Sequence, residues 1–91
     1  MPKNLRTFKK DINYLTDQVI SDCFTFMYVN PDKKEAEAME VINKAIDLRD
    51  EVFDRLNKIR EKPAKPHIRA LEEDFLKRLD ALFEKISELA K

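Results

Sequence analysis

The sequence predicts an all-α protein, folded as an antiparallel up-down-up three-helix bundle. Three observations support this prediction: apolar residues recur every three or four positions in three long segments, prolines separate the segments, and glycine is absent. Such spacing is typical of a helix with one buried side, because an α-helix has about 3.6 residues per turn. No segment alternates with the period of two that a half-buried strand requires.

The first predicted helix covers about residues 4–29. Asn4 suits the N-cap position, where its side chain can accept hydrogen bonds from free amides of the first turn. An apolar stripe follows at helical spacing: Leu5, Phe8, Ile12, Leu15, Val19, Cys23 and Phe26. Residues 23–29 are apolar on nearly every side, which indicates deep burial or coverage by a partner.

The second predicted helix covers about residues 31–61 and starts where the first one ends. Asn30 is a suitable N-cap, and Pro31 fits the first helical position, where its missing N–H costs nothing. Such a short connection makes the two helices antiparallel neighbours. The apolar arc is wide enough to contact two helices: Ala38, Met39, Val41, Ile42, Ala45, Ile46, Leu48, Val52, Phe53, Leu56 and Ile59.

The third predicted helix covers about residues 66–90, after a connector in which Pro63 and Pro66 prevent one continuous helix. Its apolar stripe is the cleanest in the chain: Ile68, Leu71, Phe75, Leu79, Leu82, Phe83, Ile86 and Leu89. With three amphipathic helices of similar length, we expect residues 1–91 to form a single bundle domain.

Composition and charge restrict the classes of function. Charged residues make up 40% and hydrophobic residues 43% of the chain, which suits neither a disordered nor a membrane protein. Lysine plus arginine equals aspartate plus glutamate at 18 each, so no net charge steers the chain toward nucleic acid. The absence of glycine argues against nucleotide-binding loops.

The same sequence features predict a cytoplasmic protein. The N-terminus lacks the apolar stretch of a signal peptide, and no apolar run reaches the roughly 20 residues that span a bilayer. The single cysteine excludes an internal disulfide, and we expect Cys23 to be buried because it lies on the apolar stripe of the first helix.

We predict neither an enzyme nor a bound cofactor or metal. His67, the single histidine, has no nucleophile and orienting carboxylate indicated beside it. Acidic residues cluster on the second helix, but the Glu-x-x-His pattern of dimetal bundles is missing, so the cluster is interpreted as a solvated face: Asp47, Asp50, Glu51 and Asp54.

Arg49 is unusual because it falls within the apolar arc of the second helix. A charge in that position must be paired, reach solvent along its stem, or lie at an interface. Two interpretations remain open: an ion pair with Asp11 or Asp74 inside the bundle, or a contact with a partner.

Three aromatic residues lie off the main stripe of the first helix: Tyr14, Phe24 and Tyr28. Aromatic residues away from a core favour a protein interface, although these rings would also suit a helix packed on two sides. The function that the sequence favours is a small non-enzymatic protein–protein interaction module that binds a partner or forms a homodimer.

The alternative function is that of a nucleic-acid accessory protein. Four basic residues precede the first acidic one and could contact phosphates: Lys3, Arg6, Lys9 and Lys10. Against this interpretation, the chain has no recognition-helix turn, no aromatic–basic RNA motif and no net positive charge.

Several runs of the sequence, residues 4–12, 22–24 and 30–34, resemble a group of small helical proteins from Bacteroidetes-type bacteria, and residues 81–86 are similar to their tail. The resemblance implies a bacterial, cytoplasmic, helical protein. It implies no activity, ligand or site residue.

Overall fold

The computed structural model describes residues 5–31, 34–59 and 65–90, and these form three helices. Helix α1 spans Leu5–Val29, α2 spans Glu35–Asn57 and α3 spans Lys65–Leu89. Each helix packs against both of the others, which gives a rod of 51 × 23 × 17 Å. The described residues contain no strand, so the predicted all-α three-helix bundle is confirmed.

All three helices contribute to one core, because each places its apolar stripe inward. Within the core, Phe8 of α1 and Phe75 of α3 make an edge-to-face contact, with ring centroids 6.4 Å apart and ring planes at 74°. The buried apolar residues follow the predicted stripes: Phe8, Ile12, Val19, Cys23, Phe26, Ala38, Val41, Ile42, Ala45, Leu48, Val52, Leu56, Leu71, Phe75, Leu79 and Leu89.

The connection between α1 and α2 differs from the prediction. Asn30 does not cap α2; its backbone amide and its side-chain Nδ2 both donate to the carbonyl of Phe26, at 2.9 and 3.1 Å, and so complete the end of α1. Helix α2 therefore begins at Glu35, four residues later than Pro31. The carbonyls at a helix end need donors, and Asn30 supplies two of them to the carbonyl of Phe26.

Lys34 precedes α2 in the left-handed region, with φ 53° and ψ 28°. This conformation favours glycine, which the chain lacks, and costs a residue with a Cβ roughly 1–2 kcal/mol. No side chain caps the helix start, although the Lys34 carbonyl accepts from the amide of Ala38 at 3.0 Å. Glu35 and Glu37 place negative charge in the first turn, where the helix dipole favours it.

The far end of α2 is also shorter than predicted, at Asn57 instead of about Glu61. The amides of Lys58 and Ile59 donate to carbonyls three residues back, at 3.2 and 3.3 Å, so the last turn tightens there. Helices α1 and α3 agree with their predicted bounds to within one residue. The predicted N-cap Asn4 lies outside the described residues.

Candidate interaction surface

Six side chains define what we call the outer face of α1, on the side of that helix opposite its buried stripe. Successive members are separated by four or three residues, which keeps them on one side of a helix for about five turns. All six are exposed: Lys10, Tyr14, Asp17, Ser21, Phe24 and Tyr28.

The aromatic residues of the outer face are unusually accessible. Tyr28 is 89% exposed, Tyr14 64% and Phe24 57%. The chain has six phenylalanines and two tyrosines, and the remaining five rings are buried or half-buried. The structure thus brings three of the four predicted interface residues onto one surface. It does not support the alternative that these rings cover the hairpin end, because more than half of each residue is open to solvent.

Arg49, the fourth predicted interface residue, lies on α2 and is half-buried. Its Nε donates to Oδ1 of the adjacent Asp50 at 3.3 Å. The predicted pair with Asp74 is wrong, because Asp74 accepts from Arg55 and Arg78 instead. Residue 49 is separated from residue 51, which does face α3, by about 200° around the helix. An Arg49 side chain therefore cannot share the α3-facing side of α2.

Four charged residues bridge α2 and α3. Arg55 Nη1 donates to Asp74 Oδ2 at 2.9 Å, and Arg78 Nη2 donates to Glu51 Oε1 at 3.2 Å. Arg78 Nη1 also contacts Glu51, and lies 3.4 Å from Asp74 Oδ2. Each helix carries its acid one turn before its base, so an antiparallel arrangement places each acid opposite a base of the other helix.

This network changes the pKa of its members. The hydrogen bond from Arg78 lowers the pKa of the Glu51 carboxyl below its ordinary value. Desolvation acts to raise the pKa of Asp74, but hydrogen bonds from Arg55 and Arg78 outweigh it and lower that pKa. Because the side chains are between 38% and 48% exposed, each pair contributes less than about 1 kcal/mol to stability.

Sequence reasoning missed the two pairs that cross from α2 to α3. Pairs within a single helix are also present, such as Glu40–Lys44 at 3.0 Å and Asp54–Lys58 at 2.9 Å. The signal for the cross-helix pairs was present, because Glu51 and Arg55 read acid then base, as do Asp74 and Arg78. Two such pairs become complementary when their helices run antiparallel.

Three of the predicted nucleic-acid contacts lie within about 100° of one another around the first turns of α1. Arg6 and Lys10 are exposed, and Lys9, about 60° from Arg6, is half-buried. Lys3 lies outside the described residues. Of the four basic residues, two are therefore exposed on this side of α1.

Two small polar residues are buried on the inner side of α1. Cys23 is 1% exposed, as predicted, and burial, reinforced by the neighbouring charge of Asp22, raises the pKa of its thiol to about 11. Thr16 is completely buried, and within the described part of the chain its hydroxyl has no hydrogen-bond partner. Neither residue is accessible for chemistry at the surface.

The described residues contain no group of three or more metal-ligating side chains close enough to hold an ion. Among the same residues, no helix combines the length and apolar character needed to cross a bilayer. A depression along the start of α3 is lined by Lys65, Arg69 and Glu73 among others, and it pairs no nucleophile with a base. The outer face of α1 is thus the most distinctive surface described.

No protein family, curated protein or solved structure matches this chain.

Proposed function

We propose that this chain is a small non-enzymatic protein–protein interaction module that binds through the outer face of α1. The observation that carries the proposal is the exposure of Tyr14, Phe24 and Tyr28 on one side of a single helix. Tyrosine and phenylalanine are enriched at protein interfaces, where a ring that fills a pocket contributes more binding energy than most other side chains.

The rest of the surface supports this choice. The solvent-facing side of α2 carries charged and polar residues joined by ion pairs one turn apart: Glu40, Asn43, Lys44, Asp47, Asp54 and Lys58. Such a face is well solvated without any partner. The outer face of α1 exposes aromatic carbon instead, and covering it would remove apolar surface from water at a gain of about 25 cal/mol per Å².

We place the module in the cytoplasm. The buried, unpaired thiol of Cys23 supports this assignment, because a chain of this size in an oxidising compartment commonly depends on disulfides. The bundle relies on its apolar core instead.

A site-specific photo-crosslinker tests the proposal in the cells that naturally make the protein. Benzoylphenylalanine replaces Tyr28 in one variant and Lys77, an exposed residue of α3, in the matched control. We expect a discrete adduct from position 28 and little or none from position 77. Absence of an adduct at position 28, or equal labelling from both positions, would contradict the proposed function.

A further inference from the structure

We infer that the partner is a second copy of this chain, whose α1 lies antiparallel along the outer face of α1. This inference rests on the proposed function and names its partner. The order of side chains along the outer face identifies this partner. When a second α1 runs in the opposite direction, the side chains of the two outer faces are complementary.

The spacing of the outer face is that of a coiled-coil seam. Alternating steps of four and three define two sets of positions, one made of Tyr14, Ser21 and Tyr28, the other of Lys10, Asp17 and Phe24. When two such helices run antiparallel, a member of the first set faces a member of the second set. All six side chains of each copy then find a counterpart in a single register.

In that register every contact is chemically matched. Tyr14 meets Phe24 of the second copy, where two rings can pack edge to face. Tyr28 meets Lys10 of the second copy, where an ammonium group lies over a ring. Ser21 meets Asp17 of the second copy, where a hydroxyl donates to a carboxylate. Each contact occurs twice, because a two-fold interface uses the same residues from both copies.

Charge disfavours the parallel pair in which identical residues face each other. A parallel pair would place Lys10 against Lys10 and Asp17 against Asp17, and opposed like charges are destabilising. The antiparallel pair separates both. Six positions flank the seam: Asp11 carries a charge, and the other five carry none, namely Asn13, Gln18, Ile20, Thr25 and Met27.

The shape of the molecule also favours side-by-side association. A specific interface buries about 800 Å² on each partner. A long side of the rod, 51 × 23 Å, can provide such an area, whereas an end of 23 × 17 Å cannot. The outer face of α1 runs along a long side, so a second copy can lie against most of its length.

Sedimentation equilibrium of the purified full chain tests the inference, over about 10 µM to about 1 mM. We expect the mass to rise from 10.8 kDa toward twice that value. Phe24→Lys should weaken dimerisation at least roughly tenfold, because each dimer loses two ring contacts. Leu76→Lys is the matched control, an exposed apolar residue of α3 that should change the dissociation constant less than about twofold. Circular dichroism verifies that both variants remain helical.

Disulfide trapping tests the register independently of those variants. Asp17→Cys and Ser21→Cys chains are mixed and oxidised with glutathione disulfide. An antiparallel dimer in the proposed register joins Cys at 17 to Cys at 21 of the other copy, so the mixture should cross-link several-fold more than either variant alone. The buried native Cys23 does not take part, because its thiol is inaccessible.

Each failure has a distinct meaning. A mass that stays at 10.8 kDa throughout overturns the second-copy inference, as does equal cross-linking of Ser21→Cys alone, which would indicate a parallel pair. If the photo-crosslinked adduct at position 28 contains a different protein, the proposed function holds and this inference fails. If position 28 gives no adduct at all, both fail.

Discussion

The solvent-facing sides of α1 and α2 differ in the chemistry of their exposed side chains. Helix α2 presents carboxylates and ammonium groups in pairs one turn apart, such as Glu40–Lys44 and Asp54–Lys58. Helix α1 presents aromatic rings along a side that the bundle does not cover. The charges of α2 are accounted for by the folded monomer, because they keep its surface well solvated. The exposed rings of α1 are not accounted for in this way, because they contribute little to the fold and are suited to contact with another molecule.

The largest expected effect comes from comparing a buried ring with an exposed one. Phe75→Ala should lower the free energy of unfolding by about 3–5 kcal/mol, because Phe75 is 0% exposed and packs against Phe8. Phe24→Ala, the same change at a residue 57% exposed, should lower it by less than about 1 kcal/mol when measured on the dilute monomer. Urea denaturation measures both. Similar losses would show that Phe24 supports the fold and is not reserved for a partner.

The sequence predicted the core well, because burial follows a local pattern. Every buried apolar residue of α1 and α3 lay on its predicted stripe, and the solvated side of α2 was also identified. The predicted start of α2 was wrong because two helix ends compete for the same capping residue. Asn30 could cap α2 or complete α1, and its side chain bonds the carbonyl of Phe26 in α1. A single sequence does not reveal which carbonyls lack another donor.

In the candidate site, too, local features could be predicted from the sequence and features that depend on helix packing could not. The positions of Tyr14, Phe24 and Tyr28 off the stripe could be read from helical spacing alone, so their exposure was foreseeable. The partner of Arg49 could not be predicted from the sequence, because it depends on the rotation of α2 against α3. That rotation places Glu51 and Arg55 opposite α3 and leaves Arg49 beside Asp50.

A smaller effect is expected on the inner side of α1. Thr16→Val should raise the free energy of unfolding by about 1 kcal/mol, because the variant keeps the shape and removes a buried hydroxyl that has no partner among the described residues. Thermal or urea denaturation would detect the change. Thr16→Ser serves as the control, since it keeps the hydroxyl and should be destabilising. A loss of stability in Thr16→Val would mean that the hydroxyl is hydrogen-bonded.

The smallest effect concerns the charged network between α2 and α3. Glu51→Gln should lower the stability at neutral pH by less than about 1 kcal/mol. Since folding lowers the pKa of Glu51 from its ordinary 4.5, this contribution is present above that pH and is lost as the pH falls through the folded value. The difference between wild type and Glu51→Gln should therefore shrink on acidification.

Glu40→Gln is the matched control for the network, because Glu40 pairs with Lys44 within one helix and its side chain is 62% exposed. Its effect at neutral pH should be a few tenths of a kcal/mol. Urea titrations at several pH values give both comparisons. A Glu51→Gln deficit that stays constant from neutral to acidic pH would indicate lost packing and contradict the ionic explanation.

The most direct measurement uses the two tyrosines of the chain, because both lie on the outer face of α1. Fluorotyrosine incorporation gives two ¹⁹F resonances, and a soluble gadolinium chelate accelerates the relaxation of those that solvent reaches. We expect strong acceleration for Tyr14 and Tyr28 in the dilute protein and clear protection of both as the concentration rises toward about 1 mM. Acceleration that is equally strong at every concentration would contradict the assignment of this face to a second copy.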